Sequence, residues 1–150
     1  TAATILISMA TNYFGHPVPD QLSALIANAE GKSFDELKDD HIAAYYPKFN
    51  RVDLNLGESA ASKLPINKRL TEFNKTKQDQ DLMALYFQFG RYLLISSTRE
   101  GLLPPNLQGL WCNTVRTPWN GDYHLNINLQ MNLWPAEVTN LSEVHCPLIE

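Results

Sequence analysis

The sequence predicts a mainly α-helical chain in which a short strand and a polar connector precede the first part of an all-helical domain. Three observations carry this reading. The stretch "DQDLMALYFQFGRYLLISSTREG" from residue 79 is apolar on nearly every side of a 3.6-residue turn, the pattern of a helix covered on several faces. Two earlier stretches carry helix start and stop signals. Strand-like patterning is confined to two short runs, at residues 4–10 and 52–56.

Taken in order, residues 4–10 ("TILISMA") are apolar and rich in β-branched side chains between "TN" and "GHPVP", which reads as a buried strand. After Pro17 and Pro19, "DQLSALIANAEG" repeats Leu22, Leu25, Ile26 and Ala29 at helical spacing, with Asp20 placed to cap and Gly31 to stop it. In "SFDELKDDHIAAYYPKFN", Ser33 and Glu36 stand in capping-box relation, so each side chain can satisfy a free amide at a helix start. Phe34, Leu37, Ile42 and Tyr45 give a partial apolar face that Pro47 disturbs. "RVDLNLG" alternates Val52, Leu54 and Leu56 with polar residues, the period of a half-buried strand ended by Gly57. Residues 58–74 are polar and contain Pro65, and read as a linker. The apolar helix then starts at a capping Asp79 and is stopped by Gly101, Pro104 and Pro105. A helix greasy all round needs partners that the following 50 residues can hardly supply, so the helical domain is expected to continue past Glu150.

Composition excludes several function classes. The 12 basic and 16 acidic residues, net −4, form no long block of either sign, so no nucleic-acid footprint is present. No apolar run approaches the roughly 20 residues needed to span a bilayer, and "TILISMA" lacks the basic flank of a secretory signal. Cys112 and Cys146 lie outside any CxxC spacing and read as free thiols, and the four histidines are scattered, so neither a disulfide framework nor a metal site is expected, and no cofactor. Asn74 and Asn140 head N-x-S/T triplets that are read as chance matches. The chain opens on Thr1 and closes on "CPLIE" without turn chemistry, and is expected to be a segment of a longer polypeptide whose remainder is its first partner.

The chemistry is concentrated in "LPPNLQGLWCNTVRTPWNGDYHLNINLQMNLWPAEVTNLSE", which holds all three tryptophans. Trp111 and Trp119 fall on a Pro/Gly-rich loop with few core neighbours in sequence, where an aromatic face serves sugar stacking as well as packing. In "HLNINLQMN" polar and apolar residues alternate while Leu129, Leu133 and Trp134 continue at helical spacing. We read an extended loop running into a helix at about Asn128, with a proline kink near Trp134. Either way His124, Asn126 and Asn128 can converge on one side, but spacing alone favours asparagines that cap a helix and tie down loop backbone over a ligand site.

Residues 85–143, with the runs "NLQGLW", "PWNGDYHLNINLQMN" and "WPAE" in order within them, closely resemble the core signature of glycoside hydrolase family 95, the inverting α-L-fucosidases that release fucose from the 2-position of galactose, with some members acting on α-L-galactosides. "HIAAYYPKFNRVDLNLG" is similar to the family's connector. The resemblance implies a β-sandwich domain ending at residues 1–30, a linker at 31–67, and the first part of an (α/α)6 barrel catalytic domain at 68–150.

It also implies a mechanism. An inverting glycosidase needs an acid to protonate the leaving oxygen and a base opposite it to activate water, and an amide alone is too weak a base. The family meets this with an asparagine carbonyl that accepts from the attacking water while a distant aspartate polarises the amide. Asn126 and Asn128 match the catalytic asparagines, with Asn128 the partner of that aspartate, and His124, Trp111 and Trp119 are assigned to sugar contacts. The family's acid and aspartate positions lie beyond Glu150, so this chain alone is expected to be inactive. Glu137 of "WPAE" is read as a solvent-facing or structural carboxylate, and Cys112 as a local departure beside the catalytic loop. The implied substrate is a fucosylated oligosaccharide or glycan, and the implied enzyme one exported by a bacterium, periplasmic or extracellular, although no signal is present. The alternatives are the same machinery tuned for α-L-galactosides, a non-catalytic carbohydrate-binding relative, and a helical interaction domain.

Overall fold

The structure, a computed structural model, describes residues 3–149. The chain divides into two compact units, Thr1–Tyr46 and Pro47–Glu150. Seven helices are present among the described residues: α1 Val18–Ala29, α2 Phe34–Phe49, α3 Ile66–Thr76, α4 Gln80–Ser97, α5 Asn128–Leu133, α6 Pro135–Val138 and α7 Cys146–Ile149.

In the first unit α1 begins one residue after Pro17, so Asp20 sits in its first turn and does not cap it. Gln21 Nε2 donates to the carbonyls of Thr11 and His16, both at 3.0 Å, tying the preceding turn to the helix. The capping box of α2 forms as the sequence predicts. Glu36 accepts from the Ser33 N–H at 2.7 Å and from its hydroxyl at 2.8 Å, while Ser33 Oγ accepts from the Glu36 N–H at 3.3 Å. Those bonds from the Ser33 backbone and side chain hold the Glu36 carboxyl below its ordinary value. The helix continues through Pro47, where the two units meet in sequence.

The two expected strands are absent. Residues 4–10 and 52–56 have no strand assignment, and no strand occurs among the described residues, which hold one isolated bridge between Asn106 and Gly109. A β pattern is stable only beside a partner ladder, and the main-chain groups of the second segment have other partners. The Val52 carbonyl accepts from Gln88 Nε2 and Arg91 Nη1, both at 3.0 Å, and the Gly57 N–H donates to Asn55 Oδ1. The stretch read as a linker also contains regular structure. A 3₁₀ turn covers Ala60–Lys63, and α3 starts immediately after Pro65, which acts as a helix start and not as a breaker.

Two buried arginines organise the second unit. Arg69 of α3 grips Asp79 through Nε (3.0 Å) and Nη2 (2.8 Å) and reaches Asp81 at 2.7 Å. Asp79 also accepts from the Ser59 hydroxyl at 2.6 Å and, as the N-cap of α4, from the Leu82 N–H at 2.9 Å. The Arg69 hydrogen bonds, outweighing burial, hold the Asp79 carboxyl far below the carboxylate range and push the guanidinium upward. Arg91, 1% exposed, points from α4 to the end of α2 and donates to the carbonyls of Lys48, Phe49 and Val52.

The hydrophobic core joins Leu94 of α4 to Leu133, Ala136, Leu141 and Val144, with Ile95 at its edge. The leucine and valine side chains each contribute about 1.5–3 kcal/mol when removed from water. The expectation that α4 is covered on several faces is met on one. Its opposite side leaves Met83, Tyr86 and Phe89 at least half exposed, with Phe89 stacked on Tyr92 at 5.9 Å.

Candidate active site

The loop between α4 and α5 carries the residues singled out in the sequence, and side chains on α5 and its neighbours hold it in place. Asn132 Nδ2 donates to the Asn106 carbonyl at 2.9 Å, the Tyr123 hydroxyl to the Pro104 carbonyl at 2.9 Å, and Asn106 Oδ1 accepts from the Gln108 N–H at 2.8 Å. Two glycines permit close approaches. At Gly109 (φ +67°) a Cβ would lie 3.1 Å from the Trp111 ring, and at Gly121 (φ +66°) it would lie 3.3 Å from Gln108 Oε1.

Backbone strain collects in the same region. Trp119 and Asn120 take left-handed conformations (φ 48° and 56°) in the turn Pro118–Gly121, and Ile127 is held at φ 90°, ψ −44°. A β-branched residue at positive φ is a true outlier, costing of order 1–3 kcal/mol, and such strain persists where surrounding structure imposes it, often at functional sites. Here the Ile127 N–H is fixed by the Leu125 carbonyl (3.0 Å) and Gln130 Oε1 (2.9 Å), and its carbonyl accepts from Met131 (2.8 Å).

Ile127 separates the two predicted asparagines. The helix starts at Asn128, as the sequence predicts, and Trp134 joins α5 to α6 at the following proline. Asn126 and Asn128 are both exposed and His124 is half-buried. Among the described residues, neither asparagine amide has a hydrogen-bond partner. Gln130, and neither asparagine, supplies the side-chain bond at the start of this helix.

The two tryptophans part company. Trp111 lines an open groove of about 1020 Å³ together with Gln108, Asn113, Thr114 and Arg116, and it also lines a smaller cavity of about 250 Å³ against α4. Trp119 lines neither and is 71% exposed. His124, Asn126 and Asn128 line neither cavity as well. Sequence reasoning missed Gln108 and Arg116. Gln108 borders both cavities and has its Oε1 buried without a hydrogen-bond partner among the described residues. The "NLQG" run marked the segment without singling out that side chain.

Cys112 and Cys146 are free. Hydrogen bonds from the side chain and backbone of Thr114 lower the Cys112 thiol from its ordinary value. Glu137 on α6 pairs with His145 Nδ1 at 2.8 Å. Among the described residues no cluster of three His, Cys, Asp or Glu side chains could hold a metal ion, and no helix is long and apolar enough to cross a membrane.

Comparison with known proteins adds three relatives and one family. The glycosyl hydrolase family 95 catalytic domain matches residues 33–150. The chain is 43% identical over 122 residues, 81% of its length, to a probable alpha-fucosidase A of Aspergillus niger, and 40% identical over 140 residues, 90% of its length, to that of Aspergillus oryzae. It is 37% identical over 162 aligned positions, 99% of its length, to alpha-L-fucosidase 2 of Arabidopsis thaliana. The chain spans only 15–19% of the length of these fungal and plant relatives.

Proposed function

Because the chain belongs to glycosyl hydrolase family 95, we propose that it is the water-positioning part of an exported α-L-fucosidase that removes α-1,2-linked L-fucose from glycans with inversion. The division into the end of a β-sandwich (1–30), a linker (31–67) and the start of an (α/α)6 barrel (68–150) belongs to the same proposal. So does the cover for the open face of α4, which the remainder of the polypeptide provides.

In this reading the attacking water donates to the Asn128 carbonyl oxygen, and a carboxylate from elsewhere in the polypeptide accepts from the amide N–H, drawing electron density onto that oxygen. Asn126 holds the same water or the sugar from the other side of Ile127, and His124 bonds a sugar hydroxyl. As the water oxygen adds to the anomeric carbon, its proton passes to the activated amide–carboxylate pair, and a glutamic acid outside this chain protonates the departing oxygen. The chain by itself supplies neither carboxyl group and is inactive alone. Glu137 is not the acid, which fits its pairing with His145.

One observation carries this reading: two exposed amides with no hydrogen-bond partner among the described residues, held on either side of a strained isoleucine. The test is Asn128→Gly in the full-length protein. Removal of the water's acceptor lowers kcat about 10²–10⁴-fold, the usual range for a positioned proton-transfer group, with KM little changed. Unaltered turnover of a 2-fucosyl-galactoside would remove Asn128 from the mechanism.

A further inference from the structure

The alternation "HLNIN" continues to a fourth polar side chain, Gln130, that the proposed mechanism does not use. Gln130 is exposed and stands in the first turn of α5, a helix of only six residues. Propensity alone does not hold a helix that short. Its anchors are Leu129 and Leu133, at 4% and 2% exposure.

The start of α5 breaks local rules. Its N-cap is Ile127, which has no side-chain oxygen to offer the free amides of the first turn, where serine, threonine, aspartate or asparagine is the stabilising choice. Ile127 is also β-branched and held at φ 90°. The capping box is one-sided: Gln130 Oε1 accepts from the Ile127 N–H at 2.9 Å, and an isoleucine side chain has nothing to return. The same N–H donates to the Leu125 carbonyl at 3.0 Å, across Asn126, and the Ile127 carbonyl accepts from the Met131 N–H at 2.8 Å. The His124 carbonyl accepts from the Leu129 N–H at 3.0 Å, closing the turn that contains both asparagines. A side-chain bond that keeps a poor cap in a strained conformation adds little to the helix, and departures of this kind collect at functional sites.

The geometry gives the departure a use. Rotation about the N–Cα bond of Ile127 swings Asn126 and the chain before it relative to Asn128 and the helix. Every bond that fixes this torsion therefore fixes the separation of the two amides. Three of the bonds just named are main-chain pairs; Gln130 contributes the one that a substitution can remove.

We propose that Gln130 is a positioning residue: its amide oxygen locks Ile127 at positive φ and thereby sets Asn126 and Asn128 at the separation at which both serve one water and one sugar. The proposal rests on the hydrolase reading for what the asparagines do, and on the hydrogen bond to Ile127 for how they are held. Gln130 touches neither water nor sugar and acts through its two neighbours.

The experiment compares Gln130→Leu, which keeps the bulk and loses the acceptor, with Gln130→Glu, whose carboxylate accepts from the same N–H. Both are made in the full-length protein. Amide hydrogen exchange at Ile127 is read on the 124–131 peptide by mass spectrometry, and hydrolysis of a 2-fucosyl-galactoside gives kcat and KM. Gln130→Leu speeds the exchange about fivefold, the loss of one ordinary neutral hydrogen bond. It lowers kcat about 10–100-fold and changes KM less than about threefold, the cost of misplacing a reacting group by about 1 Å. Gln130→Glu brings exchange and kcat back to within about threefold of the unsubstituted protein, since its acceptor remains. Added to Asn128→Gly, Gln130→Leu lowers kcat by less than about twofold more, because no separation is left to set. A glutamine that only supported the fold would cost the same factor in both backgrounds, and that result would overturn the proposal. Unchanged exchange in Gln130→Leu would also overturn it, as would faster exchange with undiminished kcat, which leaves the hydrolase reading intact. An unsubstituted protein that releases no fucose, with the exchange difference still present, would defeat the hydrolase reading and leave the hold of Gln130 on the two amides standing.

Discussion

Replacing Arg91 with leucine tests the main polar tie in the second unit. The guanidinium is 1% exposed and donates through Nη1 to the Phe49 carbonyl at 2.7 Å, the Val52 carbonyl at 3.0 Å and Gln88 Oε1 at 2.8 Å, and through Nη2 to the Lys48 carbonyl at 3.1 Å. It also lies 5.4 Å from the centre of the Phe49 ring. Lys48 and Phe49 end α2, where carbonyls have no intrahelical donor. Leucine leaves three main-chain acceptors without this donor. Each costs about 1–3 kcal/mol if it stays dry. Val52 keeps Gln88 as a donor, Lys48 keeps the Arg51 N–H at 3.4 Å, and the helix end can partly rehydrate, so we expect a loss of about 3–5 kcal/mol in total. At about 2–4 °C per kcal/mol for a chain of this size, the Tm falls by about 6–20 °C. Arg91→Lys keeps a charge but loses the planar fork, and recovers less than half of the loss. Thermal and urea unfolding followed by circular dichroism measure both variants. A loss below about 1 kcal/mol for Arg91→Leu would refute the role given to these bonds.

The remaining predictions concern charge and strain. Asp79 is held far below the carboxylate range by Arg69, so its contribution to stability is present in full above the unfolded value of about 4 and is lost as the pH falls below it toward the folded value. The urea midpoint should therefore be flat near neutrality and drop under acid conditions, with Asp79→Asn removing part of that dependence; parallel curves for the two proteins would contradict it. At Ile127 the side chain is 48% exposed, so little burial is lost on substitution. Ile127→Gly should leave stability unchanged or raise it by about 1 kcal/mol through relief of the positive φ, while turnover in the full-length protein falls because the two asparagines lose their fixed spacing. Clear destabilisation on unfolding would show that the conformation is not strained.

Local signals were legible in the sequence where a side chain acts on its own neighbourhood. Ser33 with Glu36, Asp79 before Leu82, and the helix start at Asn128 all depend on spacings of a few residues. What failed depends on distant partners. Residues 4–10 and 52–56 have strand-like patterns, but a pattern cannot supply the neighbouring strand. The helix α3 was hidden by its polar composition, since its one buried side chain is Arg69, a residue type that sequence reading places on the surface. Arg91 was hidden for the same reason. Within the site, Asn126, Asn128 and His124 came from a resemblance, not from spacing, and the structure adds the exposure of both amides, without a partner among the described residues, and the strain at Ile127. The left-handed turn was signalled at Asn120 and Gly121, since asparagine tolerates that conformation, whereas nothing in the sequence signals it at Trp119.

The most direct test of the account is the configuration of the sugar first released. A full-length protein carrying this chain is given a 2-fucosyl-galactoside, and proton NMR follows the anomeric signals in the first minutes, before mutarotation mixes them. Water positioned by an amide and attacking from the face opposite the leaving oxygen gives β-L-fucose first. Initial appearance of α-L-fucose would require a covalent intermediate and a nucleophile that neither asparagine can provide, and would contradict the account.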